Sequence, residues 1–192
     1  MKSSSSKSIS FFYSLTGKLT APLLALLLLP VVSYAHGDRQ ENRPPKVPSN
    51  LQVPADNQLL FRAAGVGVQI YVWTVNPTNA TLSSWVFKAP HAVLFHREEC
   101  VVGIHFAGPT WQANDGSKVV GARVAASTVD SNAIPWLLLQ AASTGGVGIL
   151  ADTTYIQRVN TVGGLAPSTP GKNAGEEVLV PYIADYYFYR AE

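Results

Sequence analysis

The chain has 192 residues, with 14 Lys and Arg against 12 Asp and Glu, 47% hydrophobic residues and one cysteine. A lone cysteine excludes an intramolecular disulfide and any zinc site built on several thiolates. Lys2, Lys7 and Lys18 account for the whole basic surplus; without them the net charge is about −1, which is not the clustered basic surface that nucleic acid demands.

Those three lysines precede an apolar run from Leu19 to Val32, and Ser33-Tyr34-Ala35 supplies the small residues at which a signal peptidase cuts. The run is shorter than the ~20 residues a spanning helix needs. Residues 1–35 therefore read as a secretory signal, which places the mature protein in the periplasm, the cell envelope or the exterior, with no stable membrane insertion after cleavage. The remaining 157 residues suffice for one domain with a core. Residues 36–57, polar and rich in proline (Pro44, Pro45, Pro48, Pro54), read as a flexible linker, and residues 58–192 as the folded domain.

From Leu59 onward the pattern is strand after strand. Gln69, Tyr71, Trp73 and Val75 alternate with Ile70, Val72 and Thr74, both faces largely apolar, as in an interior strand. Trp85 and Phe87 share the face of a strand that Pro90 is expected to stop; His91 to His96 then forms a separate short one. Val102, Ile104 and Phe106 oppose Val101, Gly103 and His105, because side chains alternate with period two. Gly108-Pro109 breaks that ladder. Asp115-Gly116 is a strong hairpin signal, and a two-residue turn there predicts that Trp111 lands opposite Val120. Further strands follow: 118–126, 134–142, 149–161 and 178–190. Pro181 makes the start of the last one an edge or a bulge. With no sustained helical period after the signal, the fold is predicted as all-β, a single-domain antiparallel β-sandwich or β-barrel.

Several blocks together, GVQIY (67–71), HFAGPTW with DGSKVVG (105–121), IPWLLL (134–139), YIQRVNTVGG (155–164) and ADYYFY (184–189), resemble the secreted bacterial and fungal family known as domain of unknown function 3455. The resemblance runs from about Val53 to Tyr189. It implies export, and it carries no activity with it. The family pattern also implies a cysteine at the position of Trp73 and another near 168–170. Neither exists here, so a disulfide between them is not available to this chain.

Signatures of enzymes are mostly absent: there is no G-x-S-x-G elbow, H-E-x-x-H helix, P-loop or dinucleotide fingerprint. His91 and His96, five apart, fall on opposite faces of a regular strand, so no metal site is expected, and no cofactor. His105 is either a satisfied histidine of a packed interior or an acid/base or ligand contact beside Trp111. Trp111, after its Gly-Pro break, either fills the core or lines a cleft suited to a small molecule or a glycan. Asp115 is either turn chemistry or a site carboxylate. Arg158, if buried, needs a partner; Asp185 is the expected one, with anion binding as the second reading. His105, Trp111, Asp115 and Arg158 are thus the candidate ligand residues, with no catalytic residue assigned. The leading expectation is an exported binding or structural module. The alternative is a hydrolase, possibly carbohydrate-active, using His105 with Asp115 or Asp185. Cys100 is expected to be a small buried residue of a strand.

Overall fold

A computed structural model describes residues 43–96 and 100–192; the signal expected at 1–35 lies outside the described residues. Eight strands, β1 (Asn57–Thr74), β2 (Ser84–His96), β3 (Cys100–Phe106), β4 (Thr110–Ala113), β5 (Lys118–Ser127), β6 (Trp136–Gly145), β7 (Thr153–Gly163) and β8 (Glu177–Ala191), follow one another up and down. Each pairs antiparallel with the next, and β8 pairs back onto β1 from Asn57↔Ala191 to Val72↔Glu177, closing a barrel. The all-β expectation holds, and closure decides between sandwich and barrel. A closed sheet leaves no unpaired edge across which the long flanking strands could aggregate.

Alternation along β8 divides the molecule. Tyr182, Ala184, Tyr186 and Phe188 point into the barrel, where they meet Leu94, Trp111, Val119, Leu139, Leu150 and Ile156. Tyr187 and Tyr189 point outward. Glycines on the barrel face let neighbouring strands approach closely: a Cβ on Gly67 would stand 2.1 Å from the His91 carbonyl oxygen.

Four local expectations change. β2 runs straight through Pro90, which pairs with Gln69; β3 joins β2 only from Ala92 onward, so Pro90 sits where β2 has β1 alone as its neighbour. The β4–β5 turn is one residue longer than expected. Gly116 N–H donates to Ala113 O, only Gly116 has positive φ (88°), and Trp111 consequently faces Val119 rather than Val120. Cys100 is exposed, because it opens β3 at the end of its ladder opposite His96. The stretch expected as a free arm is docked in its described part: a 3-10 turn at Ser49–Leu51 buries Leu51 completely against the outer side of the barrel. Gln157 Nε2 donates to Leu51 O at 2.7 Å, Tyr189 Oη donates to Gln157 Oε1, and Val47 and Val53 cover Val159, Tyr187 and Tyr189. Apolar side chains spaced among the prolines give the segment a second, small core.

Candidate functional site

The two ends of the barrel differ because their loops do different work. At one end Asp115 Oδ1 accepts from Ser117 N (2.9 Å) and Ser117 Oγ (2.6 Å), while Oδ2 accepts from Ile149 N (2.8 Å) in the β6–β7 loop. These bonds hold the Asp115 carboxyl below its usual range, the Ser117 hydroxyl contributing most. Ser117 Oγ in turn accepts from Leu150 N, and Leu150, wholly buried, plugs that end. Asp115 is therefore a tie between two turns.

The opposite end is open, onto a cavity of about 550 Å³ within the range typical of small-molecule pockets. Its walls are mostly apolar, Phe87, Ile134, Leu137 and Leu139 among them, and its floor is aromatic. His105 and Trp111, paired across β3 and β4, stack with ring centroids 4.3 Å apart and planes 9° from parallel. Tyr186 meets both rings at 5.1 and 5.4 Å. His105 is 2% and Trp111 1% exposed, so they form the bottom of the cavity. His105 Nδ1 donates to Thr110 O at 2.8 Å, and burial lowers its pKa to about 3. The imidazole is neutral at physiological pH and cannot serve there as a cation.

Arg158 reaches the same cavity from β7. It pairs across the sheet with Tyr186, whereas Asp185 neighbours it in register but faces outward, as the two-residue period requires. The expected Arg158–Asp185 pair therefore does not form. Asp185 instead accepts from Arg62 Nη2 and Asn160 Nδ2, both at 2.8 Å. Arg158 Nη2 donates to Pro135 O at 2.8 Å, and its Nε is buried with no partner among the described residues. Burial pulls the guanidinium below its usual range, but an arginine starts so high that it stays charged. Tyr71, Tyr182 and Tyr186 lie around it, their hydroxyls raised by burial and so neutral; Tyr182 and Tyr186 share a hydrogen bond of 3.0 Å.

Gln69 was singled out by no sequence signal beyond its place in an apolar strand. It is 2% exposed and lines the cavity, and among the described residues neither its Nε2 nor Trp111 Nε1 has a partner. Among the described residues no Asp or Glu lines the cavity, and neither Asp115 nor Asp185 comes near His105 there. The carboxylate and histidine of a hydrolase are thus not brought together. Also among the described residues, no group of three or more His, Cys, Asp or Glu could hold a metal ion, and no helix is long and apolar enough to cross a membrane. His91 is exposed, and His96 Nδ1 donates to Arg62 O.

A family model described as "Protein of unknown function (DUF3455)" matches residues 54–190. The chain belongs to that family. No curated protein and no solved structure matches it. Where the family resemblance implies a cysteine pair, this DUF3455 chain links the same two regions through aromatic residues. Trp73 and Trp85 pack edge to face at 5.3 Å, Gly171 lies against the Trp73 ring, and Trp85 Nε1 donates to Thr169 O at 2.9 Å.

Proposed function

We propose that this protein is an exported binding module of the cell envelope or exterior whose barrel cavity holds a small molecule with an apolar body. The observation that carries the reading is the cavity itself: apolar walls over a floor of rigid, neutral aromatic rings, open at one end of a closed barrel. Apolar surface brought into such walls contributes roughly 25 cal/mol for each Å² removed from water. A glycan fits less well, because a sugar would leave many hydroxyls facing groups that cannot bond them. Export rests on the lysines, apolar run and Ser33-Tyr34-Ala35 of the N-terminal segment.

The test is titration with N-phenyl-1-naphthylamine, a neutral apolar fluorophore. Saturable binding with enhanced emission is expected, and Leu137→Trp, which narrows the cavity from its half-buried wall, should weaken it at least tenfold. Absence of saturable binding to the unaltered protein refutes the reading. For export, mass spectrometry of the protein made in its host should find an N-terminus near His36; a mature form retaining Leu23 to Leu29 refutes that part.

A further inference from the structure

We propose that the ligand of this cavity is an amphipathic monocarboxylate, its carboxylate held by Arg158 with the Gln69 amide and its apolar body lying over the His105–Trp111 floor. The proposal rests on the cavity-binding reading and adds the head group. Its basis is an imbalance of charge. Arg158 brings a positive charge inside the barrel, and among the described residues no carboxylate lines the space around it. Asp185, one residue from the register partner of Arg158, is on the other face of the sheet and committed to Arg62 and Asn160. The tyrosines around the guanidinium are neutral phenols and offer it no counter-charge. Taking a charge out of water without a partner is costly, and a bound anion removes that cost.

An imbalance of hydrogen bonding points the same way. Among the described residues, Arg158 Nε, Gln69 Nε2 and Trp111 Nε1 are three buried donors with no acceptor, on three residues that line one cavity. A carboxylate only accepts, and a guanidinium presents its donors as a fork that a carboxylate matches. The remaining cations along the cavity are Lys88, already bound to Glu177 at 2.5 Å, and Arg123. One buried charge amid apolar walls suits a single negative charge better than a phosphate dianion. The volume beside it suits an apolar chain or a pair of fused rings.

The experiment measures displacement of N-phenyl-1-naphthylamine at pH 7.5 by two matched pairs, decanoate against decanol and 2-naphthoate against 2-naphthol. In the unaltered protein at least one carboxylate should bind ten-fold or more tighter than its alcohol. In Arg158→Met, which keeps an unbranched apolar stem without the guanidinium and its charge, that preference should vanish while the fluorophore still binds. Retained fluorophore binding and an unchanged circular dichroism spectrum show that the variant folds; should it not fold, Arg158→Lys serves instead, keeping the charge but losing the fork, with the preference reduced. Equal affinity within both pairs, or a preference that survives Arg158→Met, overturns the proposal and leaves the cavity-binding reading standing. Failure of the fluorophore to bind the unaltered protein overturns both.

Discussion

His105 lies flat on Trp111, 4.3 Å between ring centroids, and the same imidazole donates through Nδ1 to the carbonyl of Thr110. One residue thus fastens β3 to β4, supports the cavity floor and contributes no charge. Truncating it removes that hydrogen bond and leaves Trp111 without its stacking partner. His105→Ala should therefore lower stability by roughly 1–3 kcal/mol, read as a shift of the urea midpoint at constant slope. A midpoint unchanged to within about 0.5 kcal/mol, the range of surface changes, would mean that the histidine is not part of the packing.

The same histidine sets a pH dependence. An unfolded chain protonates it near 6.5, the folded chain only near 3. Between those values the unfolded state holds more protons, so the stability His105 confers is complete above 6.5 and is lost as pH falls towards 3. The slope is on the order of 1 kcal/mol per pH unit at its steepest. His105→Gln, whose amide can still donate to Thr110 O, should show a shallower loss between pH 6.5 and 4.5. Parallel curves for the two proteins would count against a buried neutral imidazole.

Gly116 has φ of 88° with open space around it, so a side chain there meets backbone strain and no clash. Gly116→Val should cost about 1–3 kcal/mol, the penalty for a β-branched residue in that region. Gly116→Asn, which tolerates the left-handed region, should cost much less. Equal losses from the two substitutions would contradict a conformational cause.

Leu51 tests the docked N-terminal segment. It is fully buried beneath a carbonyl that receives Gln157 Nε2. Leu51→Ala should cost about 2–4 kcal/mol, as for other buried leucines, and should raise amide hydrogen exchange of residues 47–53 ahead of the barrel strands. A free arm would show fast exchange there already and no change in stability.

Most of the strands, the presence of a turn at Asp115-Gly116 and the opposite facings of His105 and Ile104 were legible in the sequence, because alternation and turn chemistry act over a few residues; β2 was not, since Pro90 reads as a stop wherever the strand's neighbours are unknown. The site was only partly so. His105, Trp111 and Arg158 do meet in one cavity, but the sequence also grouped Asp115 with them, and its side chain spends its oxygens on Ser117 and Ile149 instead. Trp111 facing Val119 rather than Val120 turned on a single extra residue in the loop, which periodicity does not count. Arg158 and Asp185 are a pair in charge and neighbours in register that lie on opposite faces of the sheet, since alternation tells which residues share a face of one strand and not which face of β7 matches which face of β8. That matching is settled only when β8 closes onto β1, bringing together segments more than a hundred residues apart, as the Arg62–Asp185 pair does across 123 positions. Closure fixes inside and outside for every strand at once. It put Arg158 inside, where no carboxylate among the described residues lines the space around it, buried Leu51 outside the ring, and kept one end of the barrel open, none of which any local pattern of residues can express.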